Sequence, residues 1–191
     1  MYLFFDTETT GVPKNYKASY KDVDNWPRIT QLAWQVYTIE GKLFKKFESL
    51  VTPDGWEVPK EQFFIDNNMS TERCALEGRS IKLILEQFIS EINECKYLIA
   101  HNMSFDLPIV SCEMFRLGLT AENKPKKICT MNATTDLLQL PGPYGFKWPK
   151  LEELHIHLFG HNFEGAHDAS DDVSATAKCF FKLKSQNLIT L

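Results

Sequence analysis

The sequence has no apolar run long enough to cross a bilayer, and its opening hydrophobic stretch, Tyr2 to Phe5, stops at Asp6 with no basic segment before it. Neither a membrane span nor a secretory leader is expected, and the chain reads as soluble and cytoplasmic. A disulfide framework is also missing. The five cysteines (Cys74, Cys95, Cys112, Cys129, Cys179) are odd in number, widely spaced and never paired as Cys-x-x-Cys. Reduced, mostly buried thiols are expected rather than cross-links or a zinc site. Basic charge is in short supply: the formal net charge is −4, so composition announces no broad positive surface. Internal repeats, low-complexity tracts and linker-like stretches are absent as well. With 191 residues, 43% of them hydrophobic, the chain reads as one domain spanning residues 1–191 with a sizeable core.

What is present is an interleaving of strand and helix patterns. Tyr2 to Phe5 is a short continuous apolar run, as in a central strand buried on both faces, with Asp6 and Glu8 at its end. The polar stretch from Val12 to Arg28, containing Pro13 and Pro27, predicts a long loop. Ile29 to Thr38 and Leu43 to Val51, separated by Glu40-Gly41, predict a hairpin, so the sheet is mixed. Ser80 to Glu94 repeats apolar residues at helical spacing with Ser80 placed as a cap, and Gly78 closes a short helix before it. Tyr97 to Ala100 is a further strand. A helix follows from near Ser104, with Pro108 in its first turn and an apolar stripe of Leu107, Val110, Met114 and Leu117. Thr120 to Lys127 and Gly142 to Lys150 read as loops, and helices are expected from about Pro149 to Leu158 and Asp168 to Lys184. This pattern implies a three-layer α/β fold with helices flanking a mixed sheet. In such folds reactive groups gather where strand ends meet helix N-termini.

Three segments carry candidate chemistry. In Asp6-Thr7-Glu8 the two carboxylates lie at i and i+2, on one side of an extended backbone, where a shared metal would reconcile their like charges. Taken singly, such a pair is more often a solvated strand end. In His101-Asn102-Met103-Ser104-Phe105-Asp106 a strand gives way to a helix with Asp106 in its first turn, where an acid also serves as a partner for the helix dipole. In His167-Asp168-Ala169-Ser170-Asp171-Asp172 a histidine precedes acids at a helix start, a pattern that by itself means little more than capping.

Together, Asp-x-Glu, His-Asn-x-x-Phe-Asp and His-x4-Asp, in this order from Tyr2 to about Leu183, resemble the DEDDh 3′-to-5′ exonucleases, the family of the proofreading subunit of bacterial DNA polymerase III. The resemblance implies a ribonuclease H-like fold, Asp6, Glu8, Asp106 and Asp172 as metal-binding acids, and His167 as the general base. It also implies two Mg²⁺ (or Mn²⁺) ions, hard cations matched to oxygen ligands. Asp6 would bridge the two, Glu8 and Asp172 would complete the water-activating site, and Asp106 would hold the second ion. Departures from the family pattern are the length of the Val12 to Arg28 loop and Ser170, which stands where an apolar residue is common.

The partner implied is a single-stranded nucleic-acid 3′ end, with a DNA polymerase as an associated protein and no membrane; oligomeric state is left open. Substrate contacts are expected from Thr9, Thr10, Gly11, His101, Asn102 and Phe105. Phosphate contacts would come from local lysines such as Lys14, Lys17 and Lys21, or Lys124, Lys126 and Lys127. Trp26, Tyr144, Phe146 and Trp148 are loop aromatics that fit either base stacking or a buried lid. DNA is favoured as substrate, with RNA or oligoribonucleotide ends as the alternative. Two further readings are a non-catalytic nucleic-acid or polymerase-binding module, which should have lost a key residue, and a phosphohydrolase of small nucleotides. Adjacent Asp171 and Asp172 are separated by helical phase. Asp172 continues into Ala175, Thr176, Cys179 and Leu183, an inward series. Asp171 continues into Ser174, Lys178 and Lys182, a solvated series in which it would pair weakly with Lys178 or Ser174.

Overall fold

The computed structural model describes residues 1–166 and 168–189. A five-stranded sheet runs through it, built from β1 (Tyr2–Thr9), β2 (Ile29–Tyr37), β3 (Leu43–Leu50), β4 (Tyr97–Ala100) and β5 (Lys126–Cys129), in the order β3-β2-β1-β4-β5. The β1–β2 and β2–β3 pairs are antiparallel, whereas β1–β4 and β4–β5 are parallel. The sheet is therefore mixed, as the hairpin pattern implied.

Strand alternation divides the core into two layers. Leu3 and Phe5 of β1, with Leu32, Trp34 and Val36 of β2, pack against α3 (Ile81–Glu94) and α4 (Met103–Arg116). Tyr2 and Phe4, with Ala33, Tyr97, Ile99 and Ile128, pack against α7 (Ala169–Ser185) through Ala169, Val173, Ala177 and Phe180. Two short helices, α1 (Gln62–Asp66) and α2 (Thr71–Glu77), cover a smaller cluster of Leu50, Val58, Phe64, Met69 and Cys74. A Cβ on Gly78 would lie 2.2 Å from the Cys74 carbonyl oxygen and 2.7 Å from the Thr52 nitrogen, so closing α2 there requires glycine. The remaining helices are α5 (Thr130–Leu138) and α6 (Leu151–Phe159). Four of the cysteines are buried and all five are free.

Several expectations need correction. β1 does not end at Phe5 but continues through Thr9, carrying Asp6 and Glu8 on paired backbone. The stretch Thr120 to Lys127 is not wholly loop, because Lys126 and Lys127 open β5, whose single buried residue, Ile128, gives too little pattern to read. Helix α5 (Thr130–Leu138) has no helical signal in sequence, because Thr130, Met131, Asn132, Ala133, Thr134 and Thr135 look like a polar connection. Ser80 flanks α3 without a side-chain cap bond. Helix α4 begins at Met103, so Pro108 falls in its second turn rather than its first. Its buried face runs through Met103, Asp106, Ile109, Val110, Cys112 and Glu113, while Leu107, Met114 and Leu117 are only partly buried. That face carries two acids, which an apolar-stripe search passes over.

The long connection between β1 and β2 is closed at its mouth. Thr10 donates its N–H to the Arg28 carbonyl at 2.9 Å, and the Thr10 hydroxyl accepts from the Arg28 N–H at 3.0 Å. Inside the loop, Asn25 ties to Asn15 in both directions, and Trp26, 4% exposed, donates from Nε1 to the Ser19 carbonyl. Arg116 of α4 reaches the carbonyls of Val23 and Trp26. The loop thus has a small core and an anchor of its own.

Candidate active site

Alternation along β1 sorts its polar end. Asp6 and Glu8 share parity with Phe4 and face α7, and there one carboxylate oxygen each of Asp6, Glu8 and Asp172 lies within 4.8 Å of the others. Thr7, between them, faces the opposite layer, and its N–H and hydroxyl both donate to Asp106 Oδ1, at 3.2 and 2.8 Å. One three-residue run therefore holds acids on one side of the sheet and, through Thr7, fixes a fourth acid from the other side.

Helical phase brings Asp172 to this cluster. In α7 the residues one, two and three turns on, Ala175, Thr176, Cys179 and Leu183, are buried, whereas Asp171 and Lys178 are exposed. The weak pair anticipated for Asp171 does not form. Ser174 donates instead to the Ser170 carbonyl and accepts from Gln35 Nε2, and among the described residues no ion pair joins Asp171 to Lys178.

The start of α7 is set by β2. Gln31 sits opposite Glu8 in the sheet register, and its Nε2 donates to Asp168 Oδ2 at 3.1 Å while its Oε1 accepts from the Ala169 N–H at 3.3 Å. Asp168 caps the helix with its other oxygen, accepting from the Ser170 and Asp171 N–H groups. These bonds place Asp172 relative to the strand that carries Glu8. A bulge between Glu8 and Thr9 interrupts the β1–β2 register beside the acids, the kind of irregularity that re-aims side chains near functional sites.

The electrostatics follow from the crowding of acids. Asp6 is held well above the usual carboxylate range, first by burial and then by Asp106, Asp172, Glu8 and Asp168. Glu8 is pushed up to about 8, again by burial first, with Asp172, Asp106 and Asp168 adding to it. Burial lifts Asp106 to about 7 against the lowering effect of the Thr7 hydrogen bonds. Among the described residues no lysine or arginine pairs with Asp6, Glu8 or Asp106.

The other anticipated site residues lie around this cluster in different states. The Thr9 hydroxyl donates to the Gly11 carbonyl at 2.7 Å, and the Thr10 hydroxyl is part of the loop clasp. Gly11 has a φ of +145° and open space where a Cβ would stand. Asn102, in the left-handed conformation that asparagine tolerates, precedes α4 and accepts from the Ser104 hydroxyl. Phe105 is half-buried against the core. His101 is engaged by its own chain on both ring nitrogens: Nε2 is 3.0 Å from the Pro149 carbonyl and Nδ1 is 2.9 Å from the Thr130 hydroxyl. A carbonyl only accepts, so Nε2 carries the proton and Nδ1 accepts from Thr130. Burial pushes this imidazole down to about 4, which keeps it neutral. His167 lies outside the described residues.

Sequence reasoning missed Thr7, Gln31 and Asp168 as supports. The signals were available: Thr7 has the opposite parity to its acidic neighbours, and Gln31 and Gln35 are polar residues two turns of the pleat apart in a strand that is otherwise almost wholly apolar.

Residues 3–180 match the RNase_T family model, described as an exonuclease. Among sequence relatives, the DNA polymerase III PolC-type of Caldanaerobacter subterraneus subsp. tengcongensis is 27% identical over 183 residues, covering 95% of this chain and 11% of that protein. Its Listeria innocua counterpart is 28% identical over 186 residues, with the same coverage. In structure, the chain superposes on Escherichia coli Exonuclease I in complex with a dT13 oligonucleotide with a TM-score of 0.77 at 16% identity, covering 97% of this chain and 41% of that one. The zinc-bound form of that enzyme's complex with single-stranded DNA gives 0.75 at 18% identity, covering 98% and 41%. The chain spans about a tenth of the polymerases and about two fifths of Exonuclease I.

Proposed function

The chain belongs to the RNase_T exonuclease family, and from that premise we propose that residues 1–191 form a single 3′-to-5′ exonuclease domain that releases nucleoside 5′-monophosphates from single-stranded DNA ends. The observation that carries this reading is the convergence of Asp6, Glu8 and Asp172 within 4.8 Å, beside Asp106 and, among the described residues, without a lysine or arginine partner for Asp6, Glu8 or Asp106. Burial first, and then the crowding of like charges, disfavours ionisation of Asp6 and Glu8 unless a cation joins them. The donor set is entirely hard oxygen, which fits Mg²⁺ or Mn²⁺. Two such ions, when bound, supply charge neutralisation at the phosphate and an activated water.

The chain's own contributions can be assigned by residue. Asp6, Glu8 and Asp172 would hold the metal centre from the α7 side of the sheet, and Asp106, fixed by Thr7, would complete it from the other side. His167, five residues before Asp172 in sequence, would take the proton of the attacking water, a task suited to an imidazole titrating near neutrality. Gly11, exposed and free of neighbours at its missing Cβ, leaves room for the terminal nucleotide. Asn102 and Phe105, at the start of α4 beside Asp106, would border the terminal nucleotide, whereas His101 would act by bracing Thr130 and Pro149. The polymerase relatives support DNA as substrate and a DNA polymerase as associated partner.

A digestion time course on matched 5′-labelled single-stranded DNA and RNA, with a circular single strand alongside, tests the proposal. With Mg²⁺ or Mn²⁺ the linear DNA should give a descending ladder, the circle should survive, and EDTA should stop the reaction. Cleaved circles or full activity in chelator would sink it.

A further inference from the structure

Of the four loop aromatics that fit base stacking, the structure removes one and singles out three. Trp26 is the buried centre of its own loop. Tyr144, Phe146 and Trp148 are 101%, 50% and 69% exposed and occupy alternate positions in the connection between α5 and α6. That connection folds into a small hairpin, β6 (Pro141–Gly142) with β7 (Gly145–Phe146), extended by a bond from the Lys147 N–H to the Leu140 carbonyl. Two-residue strands of this kind do not persist without support. The support is at Pro149, which is buried and whose carbonyl accepts from His101, the first residue after β4. Because β4 runs parallel to β1, this bond fixes the hairpin at the sheet edge where Asp6, Glu8 and the start of α4 lie.

Tyr144 and Trp148 stand mostly in water and Phe146 is half exposed beside them, and clustered exposed apolar surface marks a recognition site. Its charge favours a polyanion. From Leu140 to Lys150 there are two lysines and no acidic residue, in a chain of net charge −4, although Lys147 pairs with Glu153 of α6. We propose that this hairpin is a stacking platform for the unpaired bases that trail behind the 3′ terminus, with Lys147 and Lys150 toward the phosphates. The inference rests on the exonuclease reading and adds to it where the rest of the strand lies. Stacking tolerates any base, because each presents a π face, so the platform would hold the strand without reading its sequence.

The test is fluorescence anisotropy of 5′-fluorescein-labelled dT16 and dT3 in EDTA, where nothing is hydrolysed, comparing wild type with a Tyr144→Ser, Phe146→Ser, Trp148→Ser variant. Stacking is worth about 1–3 kcal/mol per base, so the variant should bind dT16 at least about tenfold more weakly, with a far smaller change for dT3. Melting midpoints should match, since the rings are exposed, and a Tyr144→Phe, Trp148→Phe variant should bind as wild type does. Wild-type affinity for dT16 in the triple variant overturns the proposal. So does an equal loss in the conservative variant, or a loss confined to self-association or to a bound protein partner. Digestion of the same dT16 by wild type in Mg²⁺ is read separately: a protein that binds through the hairpin but digests nothing refutes the exonuclease reading and leaves the platform standing.

Discussion

Helix α4 carries two buried carboxylates one heptad apart on the same face, Asp106 at 3% exposure and Glu113 at 1%, and their surroundings are opposite in kind. Around Glu113 the chain brings its own cations: Arg28 Nε is 2.7 Å and Arg116 Nη1 is 3.0 Å from the same oxygen. Around Asp106 it brings a hydroxyl, an amide and further acids. A buried acid whose charge is answered from within the chain is a structural device, here the pin that holds the β1–β2 loop against α4. A buried acid whose neighbours are other acids is stable as a carboxylate only when something outside the chain answers it. The difference separates scaffold from site without reference to any relative.

That contrast is breakable by mutation, and the largest effect should fall within the acidic cluster that Asp172 shares with Asp6 and Glu8. Asp172→Ala should lower turnover by at least roughly 10³-fold, as loss of a group acting directly in catalysis does, and should weaken Mn²⁺ binding measured by calorimetry, with the fold unchanged by circular dichroism. A variant that keeps wild-type turnover would remove Asp172 from the centre. On the answered side, Glu113→Gln leaves two arginines beside a neutral amide and should cost roughly 3 kcal/mol of stability in a urea melt while turnover of the folded fraction stays within a few-fold of wild type. Lost activity in fully folded protein would make Glu113 part of the site.

A milder probe varies pH without mutation. Glu8 keeps its proton up to about pH 8 in the metal-free fold but loses it near 4.5 when unfolded, so over this interval the folded state binds more protons and stability falls as pH rises. His101 acts in the other direction only below its ordinary value of 6.5, where the unfolded chain takes up a proton that the fold refuses until about 4. Between pH 6.5 and 8 the acids therefore dominate. The melting midpoint in EDTA should drop across that window, and saturating Mn²⁺ should flatten the slope; identical slopes in both conditions would break the link between the acids and a cation. The smallest effect is expected at Asp171→Ala, within about twofold in turnover and about 0.5 kcal/mol in stability, because Asp171 is exposed. If that variant is inactive, the assignment between the two adjacent acids is reversed.

The parts of this molecule legible in its sequence were those governed by short-range periodicity. The pleat put Asp6 and Glu8 on one face, helical phase chose Asp172 over Asp171, and the Glu40-Gly41 turn announced the β2–β3 hairpin. What stayed hidden depended on partners distant in sequence. Thr7 and Asp106 are 99 positions apart, Gln31 and Asp168 are 137 apart, and no local pattern predicts a bond between them. Helix α4 lies where its pattern puts it, but its inward face includes Asp106 and Glu113, residues that a hydrophobic rule assigns to water. β5 is short and has one buried residue, so it could be read only through its pairing with β4.

The clasp between Thr10 and Arg28 has a consequence for how such a chain can change over time. Because both bonds close the loop where it leaves and rejoins the sheet, the register of β1 on β2 is independent of what lies between. Lengthening an already closed loop adds little entropic penalty, on the order of 0.6 kcal/mol per doubling. The segment next to the acids is thus the place where insertions, deletions and new surface chemistry can accumulate while the carboxylates keep their positions. Such changes leave β1, and the acids it carries, in register with β2.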